Sequence, residues 1–360
     1  MEMVAVVLSR RLAERGHRVS FMARPGTRIA SEIRTIGGAA APVRIGKRVD
    51  PNAVFRLRRW IRRERVDVVH VHYAKDLWVL SPALGGNPAV PLVLTKHIGT
   101  LKAKRDPLHR FLYRRVDCIA AISEVIRRNV AATHPVPPEC VVTIPNGVDT
   151  ALFRVAAADR RAVRTAFGFP PDATVIGIAG RLNWWKGYRE FLFSAEHLLR
   201  SNPGLWFLAV GGATFREERE AEAIRALARQ LDLKGRMIFA GYRDDMPSCY
   251  AAMDLFVYPA YAEAFGLVLI EAMAAGLPVV STDCDAVPEI VENGVTGDLV
   301  PARNTERLAE AVAALLADPE RMRRYGRAGQ NRVETWFHIN RTVEQIERLY
   351  ERLIDQRKCI

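Results

Sequence analysis

Short apolar segments alternate with amphipathic segments along most of the chain. Near-continuous apolar strands separated by helical patterns are typical of parallel sheets covered on both faces. The apolar segments form two series that divide near Asn146–Asp149, which predicts two doubly wound α/β domains with a ligand site in the cleft between them. The predicted strands are Val66–His72, Pro91–His97, Cys118–Ser123 and Val141–Pro145, followed by Val175–Ala179, Trp206–Val210, Met237–Ala240, Leu255–Tyr258 and Pro278–Ser281.

The two ends of the chain have clear helical patterns. Apolar residues recur at helical spacing in Ile339–Ile354, and Met3–Arg15 predicts a helix that Gly16 ends. Arg18–Ala23 then predicts a strand. A doubly wound domain begins with a central strand and a Gly-rich turn before its first helix, and the sequence shows neither. We therefore expect the first sheet to lack its first strand, because the reading frame starts upstream of Met1 or the chain is a fragment.

Composition excludes several classes of protein. No run of 18 apolar residues is present, so a membrane span is not expected. The N-terminal residues have no pattern of a secretory signal. The cysteines form no C-x-x-C pair, so neither a disulfide framework nor a zinc site is expected, and a reducing, cytosolic location fits. They are five in number and scattered: Cys118, Cys140, Cys249, Cys284 and Cys359.

The positive charge is concentrated in the first half of the chain. The net charge is +13, and residues 1–150 hold 26 basic against 12 acidic residues. Such asymmetry indicates an anionic partner, namely nucleic acid, an anionic lipid surface or a phosphorylated glycolipid; a solvated, arginine-rich surface is the alternative. Basic residues are interleaved with apolar ones in Asn52–Arg65 and Leu101–Arg115, which suits peripheral docking on anionic lipid but also fits amphipathic helices packed on a sheet. The candidate acceptor and membrane residues are Arg58, Arg59, Trp60, Arg62, Lys102, Lys104 and Arg105.

Two glutamates eight residues apart are the most specific candidates for chemistry. Glu263 closes a loop after the apolar strand Leu255–Pro259, and Glu271 lies inside an apolar helix. A carboxylate in such a helix needs a partner or a ligand, and sugar hydroxyls can donate to it. The alternatives are a helix N-terminal acid favoured by the macrodipole for Glu263, and a buried acid paired with a structural arginine for Glu271.

Further candidates follow other predicted strands. Arg181 and Lys186 lie in a strand-to-helix loop that Gly187 closes, where two cations and helix N-terminal amides could bind a diphosphate; the loop could also only cap a helix. Gly211 and the pair Tyr242 and Arg243 end two further strands, and these signals are weak alone. In the first domain His97 ends a predicted strand. His70 and His72 share one face of another strand. These two could be structural residues, could line an acceptor site, or could bind a metal, although the sequence shows no third ligand.

Taken together, these motifs resemble the retaining family 4 glycosyltransferases. The matching segments span the chain and are Arg15–Val19, Val69–His72, His97, Ser123, Ile144–Asp149, Gly180–Arg181, Lys186–Gly187, Glu263–Leu267 and Glu271–Val279. The resemblance implies the GT-B fold of two facing Rossmann-like domains, an acceptor-side domain over 1–148 and a donor-binding domain over 149–338. It also implies that the C-terminal helix, 339–360, packs back on the first domain.

The resemblance implies transfer of a sugar, with retention and without a required metal or cofactor, from a nucleotide sugar such as a UDP- or GDP-sugar. The acceptor would be a cell-envelope glycolipid or polysaccharide, and the location cytoplasmic with peripheral docking at the inner face of the cell membrane. Arg181 and Lys186 would bind the diphosphate, Glu271 the ribose, and Glu263 and His97 the transferred sugar. The donor site would also include Gly211, Tyr242, Arg243, Ala264, Phe265, Gly266 and Leu267.

Three other functions remain open at this stage. A nucleotide-sugar 2-epimerase shares this fold, and a non-catalytic nucleotide-sugar binding protein would share the donor site. Nucleic-acid binding would use the basic half of the chain, but no helix-turn-helix or RNA-binding motif supports it, so nucleic acid is not expected as a partner. Residue patterns alone leave the donor base, the sugar and the acceptor open, since these depend on a few loop contacts.

Overall fold

The chain divides into two compact units. The computed structural model describes residues 2–22, 31–32, 35–36, 39–40, 50–85, 87, 89–154, 157–214, 217–233 and 235–358. The first unit comprises Met1–Asn146 together with Ile339–Ile360, and the second comprises Gly147–His338.

The first unit is a parallel α/β structure. Two of its helices have side-chain N-caps: the Asp50 carboxylate accepts from the Ala53 amide, and Ser123 Oγ accepts from the Ile126 amide. Gly16, with φ of 93°, follows the first helix. In chain order the elements are α1 (Glu2–Glu14), β1 (Ser20–Phe21), β2 (Ala39–Ala40), α2 (Pro51–Arg63), β3 (Val69–Val71), α3 (Leu77–Leu84), β4 (Leu92–Lys96), α4 (Pro107–Tyr113), β5 (Cys118–Ala121), α5 (Glu124–Thr133) and β6 (Val141–Thr143).

The strands of this unit form two separate sheets. β1 pairs with β2 in parallel, and β3, β4, β5 and β6 form a four-stranded parallel sheet in that order. Within the described ranges, no strand is hydrogen-bonded to both sheets. The four strands predicted between residues 66 and 145 are therefore confirmed. The predicted strand Arg18–Ala23 is confirmed over Ser20–Phe21, and Ala23 lies outside the described residues.

The second unit contains a larger sheet and most of the remaining helices. Single 3₁₀ turns over Thr150–Phe153 and Trp184–Lys186 precede α6 and α7. The elements are α6 (Ala157–Ala166), β7 (Thr174–Ala179), α7 (Tyr188–Ser201), β8 (Leu205–Val210), α8 (Glu218–Gln230), β9 (Met237–Gly241), α9 (Met246–Ala251), β10 (Leu255–Tyr258), α10 (Leu267–Ala274), β11 (Val279–Thr282), α11 (Val287–Ile290), β12 (Gly297–Val300), α12 (Thr305–Leu316) and α13 (Pro319–Trp336).

The six strands of the second unit form one parallel sheet in the order β12-β11-β10-β7-β8-β9. The chain builds outward from β7 in one direction, then returns to β10 and builds in the other. β7 and β10 are therefore neighbours whose following connections run to opposite sides, which makes a topological switch point. All five strands predicted here are confirmed, whereas β12 was not foreseen, because Gly297 and Asp298 interrupt its apolar pattern.

The last helix, α14 (Ile339–Lys358), belongs to the first unit. Its apolar residues, at three- and four-residue spacing, belong to one buried core with Leu8 and Leu12 of α1 and with Val93 and Ala120 of the sheet. Outside this core, Arg15 forms an ion pair with Glu347. The buried residues of α14 are Ile339, Val343, Ile346, Leu349, Tyr350 and Leu353.

Candidate active site

The two most specific sequence motifs meet at the switch point of the second sheet. Lys186 belongs to the connection after β7, and Glu263 belongs to the loop after β10. Because β7 and β10 are adjacent and parallel, these connections leave the same edge of the sheet. In doubly wound folds ligands bind at this place, outside the carboxyl ends of the strands.

Lys186, Glu263 and Tyr258 form a closed cluster of three polar side chains. Lys186 Nζ donates to Glu263 Oε2 at 2.7 Å and to Tyr258 Oη at 2.7 Å. The Tyr258 hydroxyl donates to the same Glu263 oxygen at 2.5 Å. The lysine and glutamate side chains are 17% and 13% exposed, so the ion pair is shielded yet reachable from solvent. Sequence reasoning named the lysine and the glutamate but missed Tyr258, whose only signal was a polar tip at the end of an apolar strand.

The cluster favours an ionised Glu263. Burial opposes the charge, but Lys186 and the hydrogen bonds from Tyr258 and the Phe265 amide outweigh it and lower the pKa of Glu263. Burial, followed by the Glu263 charge, raises the pKa of Tyr258 well above its usual range. The tyrosine therefore stays a neutral donor between a cation and an anion.

Two glycines allow the backbone to reach this arrangement. Gly187 has φ of 75°, and a Cβ placed there would lie 1.9 Å from the Pro259 carbonyl oxygen. Gly266 has φ of 100° and precedes α10, where a Cβ would meet the Leu269 side chain at 2.8 Å. Both positions lie in the left-handed region that favours glycine. The Gly187 position therefore brings the β7 and β10 connections into contact.

Arg181 is held by an acid that the sequence did not single out. Its Nη1 donates to Glu217 Oε1 at 2.6 Å, and Asn183 Nδ2 donates to the same oxygen at 3.1 Å. The other Glu217 oxygen accepts from the Thr214 amide at 3.1 Å. The arginine side chain remains 53% exposed, so it can turn toward a ligand. Glu217 gave no sequence signal, since several glutamates surround it at the start of α8.

Glu271 is partnered by a tyrosine and not by the arginine considered as an alternative. The Tyr250 hydroxyl donates to Glu271 Oε2 at 2.8 Å. Burial raises the pKa of Glu271 to about 7, and this one hydrogen bond only partly offsets the rise. No ion pair of this glutamate is present among the described residues. Its charged form is therefore stabilised poorly by the protein alone.

The remaining donor-side candidates border the same edge of the sheet. Gly211 follows β8 with φ of 139°, and a Cβ there would lie 1.8 Å from the Gly180 carbonyl oxygen, so these two connections touch. Tyr242 is 65% exposed and donates to Asp244 at 3.0 Å. Arg243 forms a two-pronged ion pair with Asp245 at 2.8 and 2.7 Å. The Arg243 guanidinium is thus already bound to a carboxylate.

His97, in the first unit, directly follows β4 and belongs to a row of three histidines. His97 Nε2 lies 3.1 Å from His72 Nδ1, and the His72 ring stacks on His70 with centroids 4.5 Å apart. His70 contacts Tyr350 and Thr95. Burial, followed by the His72 charge, lowers the pKa of His97 to about 3, so it is a neutral imidazole near neutral pH. Across the described residues, no three His, Cys, Asp or Glu side chains are grouped as a metal site requires.

The basic segments of the first unit are only partly available to a partner. Arg58 donates to the Ala83 and Pro82 carbonyls at the end of α3, at 3.1 and 2.8 Å, and is thereby bound within the fold. Arg105 donates to the Ala132 carbonyl at 3.0 Å. Arg59, Arg62 and Lys102 are exposed, while Trp60 and Lys104 are partly buried. Large apolar side chains are exposed beside them: Phe55, Leu101, Leu108 and Phe111.

None of the helices in the described part of the chain is both long and apolar enough to span a bilayer.

Comparison with protein families places both units. The model described as glycosyl transferases group 1 matches residues 159–332, and the glycosyltransferase family 4 model matches residues 1–152. A D-inositol 3-phosphate glycosyltransferase of Segniliparus rotundus is 33% identical over 285 residues, which cover 74% of this chain and 62% of that protein. The lipopolysaccharide core biosynthesis mannosyltransferase LpsB of Rhizobium meliloti is 32% identical over 247 residues, covering 68% of each chain. The chain thus spans less than two thirds of the length of the Segniliparus protein.

Solved structures share the fold of the whole chain. A glycosyltransferase from Rickettsia africae superposes with a TM-score of 0.88 at 18% identity, covering 98% of this chain and 94% of that one. HepE of Anabaena, solved in complex with UDP and glucose, gives a TM-score of 0.83 at 21% identity, covering 97% and 95%. These likenesses confirm the predicted GT-B fold of two Rossmann-like domains.

The family models, the LpsB match and the shared fold therefore show that the chain belongs to the family 4 glycosyltransferases, with its group 1 glycosyltransferase region in the unit that holds the Lys186–Glu263 cluster.

Proposed function

We propose that the protein transfers a sugar from a nucleoside diphosphate sugar to a cell-envelope acceptor, with retention of configuration at the transferred carbon and without a required metal or cofactor. The observation that carries the proposal is the cluster of Lys186, Tyr258 and Glu263 at the switch point of the second sheet. It combines a cation for phosphate with a carboxylate for hydroxyls in a shielded site.

The diphosphate is assigned to Lys186 and Arg181. Both cations follow β7, and in this structure each is paired with a carboxylate, Glu263 and Glu217 respectively. A diphosphate supplies more negative charge than either carboxylate, so donor binding would exchange carboxylate for phosphate at both cations. The same contacts would stabilise the charge that builds up on the nucleoside diphosphate as the glycosidic bond breaks.

The sugar and the ribose are assigned to the two glutamates. Release of Lys186 toward phosphate would leave Glu263 free to accept from sugar hydroxyls, alongside the amides of Phe265 and Gly266. Glu271 would accept from the ribose hydroxyls, which supply the donors that its single bond from Tyr250 does not. The nucleotide would be bordered by Gly211, Tyr242, Arg243, Ala264 and Leu267.

His97 is assigned to the transferred sugar. Because burial holds its pKa near 3, the imidazole is neutral and can hydrogen-bond a hydroxyl without adding positive charge. The contact between His72 Nδ1 and His97 Nε2 fixes the orientation of the ring. The role in the reaction is therefore one of binding and orientation.

The acceptor class is proposed from the charge and from the named relative. LpsB acts in lipopolysaccharide core biosynthesis, and a glycolipid or polysaccharide of the cell envelope is the acceptor we propose here. Arg59, Arg62 and Lys102 lie near exposed apolar side chains, a combination that favours docking from the cytoplasm on the anionic inner face of the membrane.

Liposome sedimentation tests the docking. We expect binding to anionic vesicles at low salt, weaker binding at high salt because the charges are screened, and little binding to neutral vesicles. Replacing Arg59 and Arg62 by glutamine should reduce the bound fraction several-fold. Equal binding to neutral and anionic vesicles contradicts electrostatic docking.

A panel of nucleotide sugars tests the donor half of the proposal. Each UDP- and GDP-sugar is incubated with the protein, with and without lipid acceptor extracts, and thermal stabilisation and products are recorded. A transferase should be stabilised by one donor and release its nucleoside diphosphate. A sugar changed in configuration with the nucleotide still attached, in the absence of any acceptor, would instead indicate an epimerase.

A further inference from the structure

The second unit contains an apolar cavity that the proposed reaction does not use. Its volume is about 600 Å³, and its lining comes mainly from α7, α8 and the turn before α7. Trp184, Phe193 and Leu227 supply much of the apolar wall, and Tyr261 lies at one side. Cavities that hold small molecules in proteins have this size and this apolar character.

Two arginines line the same cavity and lie over aromatic rings. The guanidinium of Arg189 lies 5.7 Å from the centre of the Phe193 ring, and that of Arg303 lies 4.7 Å from the centre of the Tyr261 ring. Within the described part of the chain, neither arginine forms an ion pair within 4.0 Å.

The nearby acids are bound to other groups. The Tyr261 hydroxyl lies 2.8 and 2.7 Å from the two carboxylate oxygens of Glu190 and donates its one proton to this carboxylate. Glu220 accepts from the backbone amide of Trp184 at 2.8 Å. Neither of these acids lines the cavity, so among its described lining residues the two guanidinium groups are the charges that a ligand can satisfy.

The backbone at Arg303 is an independent sign of a constraint. Its φ is 61°, in the left-handed region that is strained for a residue other than glycine. The residue lies between β12 and Asn304, the N-cap of α12. Glycine would relieve this strain, yet the chain has arginine here, with its guanidinium over Tyr261 at the cavity.

We propose that this cavity binds a soluble organic anion that has an apolar body and one carboxylate or phosphate group. The apolar body would occupy the space beside Trp184, Phe193 and Leu227. The acidic group would pair with Arg189 and Arg303, because a guanidinium matches the geometry of carboxylate and phosphate.

The location connects this site to the Lys186–Glu263 cluster. Trp184 belongs to the same 3₁₀ turn as Lys186, and the Tyr261 amide donates to the Trp185 carbonyl at 2.9 Å. Both segments that carry the cluster therefore also form part of the cavity wall. An anion bound in the cavity would therefore contact the same two segments that carry Lys186 and Glu263.

Calorimetric titration with octyl phosphate tests the proposal on the whole chain. Octanol and inorganic phosphate are titrated separately, so that the apolar and the charged parts of the probe are measured apart. We expect saturable one-to-one binding of octyl phosphate, and binding at least tenfold weaker for each of the other two.

Variants locate the bound probe. Arg303→Gly should weaken binding at least tenfold while leaving the unfolding midpoint unchanged or higher, because glycine relieves the backbone strain. Arg65→Gly is the matched control: Arg65 has φ of 51° in the first unit, and its replacement should leave binding unchanged. Ala223→Trp, at an exposed position that lines the cavity, should abolish binding.

Three results would overturn the proposal: no saturable binding of octyl phosphate, octanol binding as tightly as octyl phosphate, or unchanged binding by Arg303→Gly. Lys186→Ala separates this site from the donor site, since it should leave octyl phosphate binding intact. Loss of binding in that variant would place the probe at the donor phosphates and refute the cavity as its site. None of these outcomes depends on whether the protein transfers a sugar.

Discussion

Glu271→Gln is the change whose effect can be worked out most fully from the structure. The glutamine keeps the shape of the side chain, and its amide oxygen can still accept from the Tyr250 hydroxyl that now bonds Glu271 Oε2 at 2.8 Å. What the substitution removes is the negative charge. Its effect on stability should therefore follow the ionisation of Glu271.

The direction and the size of this effect on stability follow from the raised pKa of Glu271. The pKa is about 7 in the folded protein against an ordinary value of 4.5, so between these pH values the folded state binds more protons than the unfolded state. Stability contributed by this group therefore falls as pH rises from 4.5 to 7. The full difference of 7 − 4.5 = 2.5 pH units corresponds to an upper value of about 3.5 kcal/mol, at about 1.4 kcal/mol per pH unit. Glutamine avoids this cost, so the variant should be more stable than the parent above pH 7.

Glu263→Gln is the matched control with the opposite sign. Lys186 and its other partners lower the pKa of Glu263 in spite of burial, so its contribution to stability is present above the unfolded value and is lost as pH falls through the folded one. This variant should be less stable than the parent at pH 8, because the Lys186 ammonium loses its anionic partner. The penalty should shrink in acid.

Differential scanning calorimetry at pH 5, 6, 7 and 8 measures the effect of Glu271→Gln, and scans at pH 3 and 4 cover the range below 4.5 in which the penalty of Glu263→Gln should shrink. Calorimetry also separates the transitions if the two units unfold in steps. The stabilisation by Glu271→Gln should grow with pH and level off above pH 7. A stabilisation of the same size at every pH, or a destabilisation at pH 8, would refute the reasoning. The same variant should bind UDP more weakly at pH 8, since a neutral amide is a poorer acceptor for ribose hydroxyls.

Two further predictions concern the cluster and its backbone. Gly187→Ala should lower the free energy of unfolding in urea by about 3 kcal/mol, because a methyl group would lie 1.9 Å from the Pro259 oxygen at φ of 75°. The control Gly168→Ala, at φ of 77° with no atom within 4 Å, should lower it by only about 1 kcal/mol. Equal losses in the two variants would refute the steric argument. Tyr258→Phe should raise the pKa of Glu263, whose charged form loses a donor at 2.5 Å, and so move the acid limb of the pH–rate profile upward; an unmoved limb would remove Tyr258 from the cluster's function.

The strands and the motif-bearing loops could be predicted from sequence because their signals are local. The apolar segments were short and bounded by loops, so ten strands, β1 and β3–β11, were foreseen, whereas Gly297 and Asp298 hid β12. The partners of the site residues could not be foreseen in the same way. The pairs Tyr250–Glu271, Tyr258–Glu263 and Arg181–Glu217 are separated by 21, 5 and 36 residues along the chain. Only the order of the strands in the sheet brings the first and the third of these pairs together. Arg58 shows the same limit, since its spacing fits a basic face while its guanidinium caps α3.

Release of nucleoside diphosphate from the preferred nucleotide sugar, compared between the parent chain and Lys186→Ala at saturating donor, tests the central claim most directly. Lys186 is expected to stabilise the charge on the departing diphosphate, and loss of one such cation should lower the turnover number by about 10²–10³-fold. We predict that fall, with a folded variant as judged by its unfolding transition. An unchanged turnover number would contradict the assignment of the Lys186–Glu263 cluster as the donor site.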